Sequence, residues 1–251
     1  MIDWDALVRD TPPTRLKGTL HRMVEDQEQI ATWSLVSSLP DQQLLEEMLD
    51  ASKPPLPEAA QGLHYLLATP FRYPPLRHGS RFGRRHEPGI FYGARSIRPL
   101  LHEFAYYRFV LWTGMSVPPK GPILSRHTEF SATYSVRGHR LQSPPFSEHR
   151  DLLRSPVDCS EPQALGRALR AAAVEGFEYE SARDPRGGIN VGLFTPRGLI
   201  SRRPRNLRSW LCETRDDAVV VSRSDERRTW TFDRRLFEVE GAIPHPCEGG
   251  R

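Results

Sequence analysis

Three residues with reactive side chains fall at even intervals. Arg81 lies in the turn Gly79-Ser80-Arg81-Phe82-Gly83, Tyr92 eleven residues on in Ile90-Phe91-Tyr92, and Glu103 eleven further. A loop, a strand end and the helix after it can bring all three to one cleft. Small neighbours leave a phosphate room to reach the Arg81 guanidinium, whose planar fork suits a bidentate anion contact. At about 100° per residue, Leu100, Phe104 and Leu111 mark the apolar centre of a helix over 97–113. Glu103 then sits on the shoulder of that stripe, with Tyr107 and Val110 nearby. A partly desolvated carboxylate costs free energy unless something pairs with it. Each residue also has a plainer reading: Glu103 bridged to Arg108, Tyr92 in the core, Arg81 on the surface. Further on, Ser181 precedes Arg183-Asp184-Pro185. It can form that turn or hydrogen-bond a ligand, but no histidine is spaced to make it a nucleophile.

These side chains need elements to carry them. Leu16, Leu20, Met23, Val24 and Ile30 recur at helical spacing, and Pro40-Asp41 opens a second helix with Leu44, Leu45, Met48 and Leu49. Residues 1–57 thus read as a helical N-terminal extension ending in the stiff connector Lys53-Pro54-Pro55-Leu56-Pro57, with a short helix across 58–68. The body, 58–240, alternates irregularly. A strand at 90–92 leads to the helix over 97–113, capped by Ser96, and β structure follows at 123–142. A helix over 161–176 precedes strands at 177–180 and 189–194, and three short strands follow at 209–214, 218–222 and 229–232. Residues 241–251 read as a flexible tail. Strands and helices without a regular βαβ alternation predict an α+β fold with a mixed sheet.

Composition excludes several classes. The 251 residues carry 35 Lys+Arg against 31 Asp+Glu, a net charge of +4. The bases are almost all arginine, with lysine only at Lys17, Lys53 and Lys120. The excess is modest and dispersed, which argues against nucleic acid as a target except through a partner. Mean hydropathy is −0.54, and no run approaches the roughly 18 apolar residues of a membrane helix. The start, MIDWDALVRD, has no apolar core of a secretory signal, so a cytoplasmic protein is expected. Cys159, Cys212 and Cys247 form no CxxC, which argues against a zinc knuckle or a disulfide framework. His102-Glu103-Phe104-Ala105-Tyr106 lacks the second histidine of a zincin, and no metal site is expected.

The order of these motifs is more specific than any one of them. Gly79-Ser80-Arg81-Phe82, Tyr92-Gly93-Ala94, Glu103, Tyr179-Glu180-Ser181-Ala182-Arg183 and Gly187-Gly188-Ile189-Asn190-Val191-Gly192-Leu193-Phe194 together resemble the RES domain, named for its Arg, Glu and Ser. The resemblance covers about 70–200. Two departures are a Ser for a Gly and Phe82 for a Trp in the first turn. The family's leading Arg corresponds to Arg72 on this reading.

The resemblance implies a fold similar to ADP-ribosyltransferase toxins and a role as the toxin of a bacterial toxin–antitoxin pair, neutralised by an Xre-type antitoxin. It implies that NAD+ is consumed as a substrate, by hydrolysis or phosphorolysis, with no further cofactor. Glu103 would stabilise positive charge developing on the ribose. Arg81, with Arg72, would bind the pyrophosphate. Tyr92 would pack against nicotinamide or its ribose, Ser181 would hydrogen-bond near the scissile bond, and Phe82 would stack on substrate. Asn190 closes the 184–190 turn and stands among the substrate-binding residues. Two alternatives remain open, a protein ADP-ribosyltransferase on the same site and an arginine-rich nucleic-acid-binding module. The N-terminal extension would serve the catalytic domain, a homo-oligomer or an antitoxin interface.

Overall fold

The computed structural model describes residues 2–26, 38–73, 78–226, 228–245 and 247. In chain order the elements are α1 (Trp4–Asp10), β1 (Thr14–Glu25), α2 (Leu39–Ser52), α3 (Tyr65–Arg72), β2 (Phe91–Ala94), α4 (Ile97–Thr113) and β3 (Ile123–Arg140). Then come α5 (Arg150–Leu153), α6 (Ser160–Ala171), β4 (Gly176–Glu180), β5 (Ile189–Leu193), β6 (Arg205–Thr214), β7 (Ala218–Arg223) and β8 (Thr229–Asp233). The fold is α+β, as expected.

One eight-stranded sheet runs β1-β2-β5-β4-β3-β6-β7-β8, and β1 also pairs with β3. The first five strands therefore form a closed circuit, and β6–β8 extend from it. Only β3 and β4 pair in parallel; the other pairings are antiparallel. The length of β3 makes this possible, because its first half borders β6 and its last residues border β4. Leu16, Leu20, Phe91, Phe130, Tyr134, Val136, Val191 and Leu193 fill the circuit's apolar core. A second core holds α4 against β6–β8 through Leu101, Ala105, Phe109, Trp210, Val219 and Phe232. A third lies under α1 and α6.

The N-terminal expectation is corrected. Residues 14–25 are not helical. They form β1, paired with β3 from Thr14↔Gly138 to Glu25↔His127. Leu16, Leu20 and Val24 are four apart, and four is a multiple of the strand period of two as well as close to a helical turn. The long register with β3 decides between them. Because β1 belongs to the central sheet, residue 57 is not the edge of a helical appendage. The helix expected after Asp41 does form, as α2, but leaves Leu39, Leu44 and Met48 exposed. Ile30 lies outside the described residues. The helix expected over 58–68 is a 3₁₀ turn at Glu58–Ala60 followed by α3.

Within the tail expected over 241–251, residues 242–245 and 247 make defined contacts, while 246 and 248–251 lie outside the described residues. Val239 bridges to Ala242, Ile243 packs on the β6–β8 core, and the Tyr106 hydroxyl donates to the Pro244 carbonyl at 2.7 Å. Cys247 is disulfide-bonded to Cys159. A separation of 88 residues hid this pair from motif reading.

His127 of β3 is almost fully buried against the Phe104 ring, its Nε2 within 2.8 Å of the Ser125 hydroxyl. Desolvation first, and the charge of Arg108 second, lower its pKa to about 4. The unfolded chain takes up that proton near pH 6.5 and the folded one does not, so stability falls as pH drops from about 6.5 to about 4. A loss on the order of 3 kcal/mol is expected. Urea melts across this range check it, and His127→Gln should flatten the slope.

Candidate active site

The site is built where α4 packs on β2 and β5, with Tyr179 of the neighbouring β4 in the same lining. Tyr92 pairs with Gly192, Ala94 with Asn190, and Asn190 with Tyr179. Side chains alternate across a sheet, so Tyr92, Asn190 and Tyr179 share a face while Phe91 and Val191 enter the barrel core. Helix α4 lies over the first face and brings Glu103 to it.

Glu103 is pinned there. The Ser181 hydroxyl donates to its Oε1 at 2.6 Å, and Asn190 Nδ2 donates to the same oxygen at 3.0 Å. The Arg108 bridge does not form; Arg108 is buried and donates to Thr214 Oγ1. The helical stripe is also rotated from the expected one. Leu101, Ala105, Phe109 and Trp112 are buried, whereas Leu111 is 44% exposed. Glu103 consequently faces the sheet and a cavity.

Ser181 is fully buried and holds the β4–β5 turn. Besides donating to Glu103, its hydroxyl accepts from the N–H groups of Arg183 and Asp184 at 3.1 and 3.0 Å. Asp184, buried, pairs with Arg98 of α4 and accepts from the Arg186 and Gly188 N–H groups. The turn and the helix are thus tied together twice, once at Arg98 and once at Glu103.

Tyr92 uses its hydroxyl on the protein. It accepts from the Phe82 N–H at 3.1 Å and is hydrogen-bonded to the Ser80 hydroxyl at 3.0 Å. Desolvation pushes its pKa up to about 12, so the phenol is neutral at physiological pH. It fixes the 80–82 turn while its ring lines the cavity. Arg81 on that turn donates to the carbonyls of Leu153 and Ser155 and also lines the cavity. Gly166 of α6 supports the turn from below, so close that an alanine Cβ would overlap the Phe82 carbonyl oxygen. Gly166→Ala is expected to cost about 1–3 kcal/mol through this backbone clash, measurable in urea melts.

Two expected site residues lie elsewhere. Phe82 is fully buried, its ring edge-on to Phe177 and Tyr179, and is not free to stack on a ligand. Arg72 ends α3, donates to the Pro54 carbonyl and is not among the cavity-lining residues.

Arg22 of β1 and Arg183 of the β4–β5 turn join Arg81 instead. Arg22 donates to the Tyr92 carbonyl at 2.7 Å and lies over the Phe91 ring, while its Nε is buried with no partner. Desolvation lowers its pKa to about 10, still cationic at pH 7. Arg183, 6% exposed, has its guanidinium carbon 3.5 Å from the centre of the Tyr106 ring. Burial lowers its pKa too. Arg22 was hidden by the helical reading of β1, although Leu16, Gly18, Leu20 and Arg22 share one strand face.

The cavity has a volume of about 390 Å³, with Arg22, Arg81, Arg183 and Glu103 as its charged lining. Among the described residues none of the three guanidiniums forms an ion pair. Beside Glu103, the buried Asn190 Oδ1 has no hydrogen-bond partner. The cavity therefore offers an anion-binding side and, next to a fixed carboxylate, an acceptor awaiting a donor.

Comparison with known families agrees with the motif order. The RES domain matches residues 55–214. This chain belongs to the RES domain family. The match begins after β1, so Arg22 lies outside it. A similar solved structure is the crystal structure of the M. tuberculosis MbcT–MbcA toxin–antitoxin complex. It has a TM-score of 0.47 and 13% identity, covering 81% of this chain and 90% of that one. No curated protein matches the sequence. No helix among the described residues is long and apolar enough to cross a membrane.

Proposed function

We propose that this RES domain protein cleaves the nicotinamide–ribose bond of NAD+, with water or inorganic phosphate as acceptor, as the toxin of a pair restrained by an Xre-type protein antitoxin. The observation that carries the reading is the charge layout of the cavity: one pinned carboxylate beside three guanidiniums that form no ion pair among the described residues. NAD+ has the complementary layout, a cationic pyridinium–ribose end and a doubly anionic pyrophosphate.

In this reading Arg22, Arg81 and Arg183 hold the pyrophosphate, and the Tyr92 ring packs near the nicotinamide end. Glu103 Oε2 and Asn190 Oδ1 are both acceptors and receive ribose hydroxyls. As the C1″–N bond breaks, its electron pair goes to the pyridinium nitrogen and nicotinamide leaves neutral. No acid is needed for this departure. Positive charge grows on the ribose, and the half-buried Glu103 carboxylate, already oriented by Ser181 and Asn190, stabilises it. Ser181 and Asn190 act by positioning that carboxylate. Water then adds at C1″ and loses a proton to give ADP-ribose, or phosphate adds there to give ADP-ribose 1″-phosphate.

Product analysis separates the acceptors. Purified protein incubated with NAD+ should give ADP-ribose in phosphate-free buffer, or the 1″-phosphate only when phosphate is present. Label carried from NAD+ onto a protein, with neither small product formed, would overturn the acceptor assignment in favour of protein ADP-ribosylation.

A further inference from the structure

The cavity wall includes two residues the proposed chemistry does not use, Cys159 and Cys247, joined as a disulfide. Cys247 comes from the C-terminal segment, beyond the RES match. That segment is held on both sides of the cavity. On one side Pro244 accepts from Tyr106 of α4. On the other, His245 packs on His78, ring centroids 4.4 Å apart, just before the turn that carries Arg81, and Cys247 is bonded to Cys159 at the start of α6. The segment thus spans the site from α4 to α6. We propose that it is a redox-releasable strap, and that the Cys159–Cys247 disulfide is a thiol-exchange site controlling access to the cavity.

Size supports this. At about 390 Å³ the strapped cavity is near the small end of the roughly 300–1,000 Å³ usual for small-molecule sites. A dinucleotide is a large ligand for it, and removing Cys247 from the wall enlarges it. The noncovalent ties of the segment include the Tyr106 hydrogen bond, the His78 ring contact and the packing of Ile243 on the β6–β8 core, each individually modest beside a covalent bond. The disulfide is the tie that decides.

The exchange chemistry has a preferred direction. Cys159 is 3% exposed, while Cys247 is partly exposed. A dithiol reductant attacks as the thiolate at the Cys247 sulfur, forming a mixed disulfide and expelling Cys159. Cys159 caps the twelve-residue α6, where the helix N-terminus favours a leaving thiolate. The neighbouring Asp158 carboxylate is taken up by the Ser160 N–H and hydroxyl. The reductant's second thiol then displaces Cys247. Two electrons and two protons pass to the protein, leaving two thiols and an oxidised reductant.

The test follows hydrogen exchange of 242–245 and 247 in the full chain, treated with oxidised or reduced dithiothreitol, for wild type and Cys247→Ser. Titrated after denaturation, oxidised wild type should show one thiol, the buried Cys212, and the reduced protein three. Exchange should be about tenfold faster in reduced wild type, and equally fast in Cys247→Ser under both treatments. NAD+ turnover should rise on reduction in the wild type only; this arm alone rests on the proposed reaction. Equal exchange in the two states, or three thiols persisting after oxidation, overturns the strap. A strap that responds while NAD+ turnover is equal and measurable in both states overturns the control of access. Responsive exchange with no NAD+ consumed in either state upholds the strap and counts against the proposed reaction instead.

Discussion

Glu103→Gln should lower turnover of NAD+ by about 10²–10³-fold or more, the loss typical when a pre-oriented charge-stabilising group is removed, while leaving the fold intact. Glutamine keeps the shape and can still accept from Ser181 and Asn190, which now hold Oε1. What it loses is the negative charge. Since that charge matters most as the ribose becomes cationic, the effect belongs in kcat, with KM shifting far less. Glu103→Ala is a poorer test. It strands the Ser181 hydroxyl and the Asn190 amide, at about 1–3 kcal/mol per unsatisfied group. Steady-state kinetics and a thermal melt on the glutamine variant separate the two roles. Unchanged turnover would make Glu103 a tether between α4 and the β4–β5 turn and nothing more.

The second large effect is expected at Arg22. Its Nε is buried without a partner, and it forms no ion pair among the described residues, so the Tyr92 carbonyl and the Phe91 ring offset only part of its desolvation cost. Such a group is explained if an anion completes it. Arg22→Met keeps much of the packing on Phe91 and removes the charge. KM for NAD+ should rise on the order of 30-fold or more, since truncating one partner of a buried charge-assisted contact costs roughly 2–5 kcal/mol. The unliganded variant should melt no lower than the wild type, because the unpaired charge has gone. A lower melting temperature with unchanged KM would instead make Arg22 a brace for the Tyr92 carbonyl.

These effects fall on residues that were unequally legible in the sequence. Helix α4 runs over the predicted 97–113, and the strands from β2 onward fall within a few residues of their expected positions. Their apolar periods had one meaning each. β1 did not, since Leu16, Leu20 and Val24 satisfy both periods, and only pairing with β3 across more than a hundred residues settles it. That ambiguity concealed Arg22. The cavity gathers Arg81, Tyr92, Glu103 and Asn190, and Ser181 reaches it through Glu103, because motif order reflects the strand–helix–turn path that builds the site. Phe82 and Arg72 fell outside because a residue's type does not reveal which way its turn or helix end faces. Arg183 stood inside a quoted motif, but its value depends on Tyr106 lying beneath it. The disulfide depends on the chain end returning to α6, which no local pattern encodes.

The central claim is cleavage of the nicotinamide–ribose bond, and release of nicotinamide tests it without regard to acceptor. NAD+ labelled in the nicotinamide ring is incubated with reduced wild type and with Glu103→Gln at equal concentrations. The account predicts stoichiometric conversion of label to free nicotinamide by the wild type and a rate lower by about 10²-fold or more for the variant. Label remaining in intact NAD+ with folded, reduced wild type, or release at the same rate by both proteins, would contradict it.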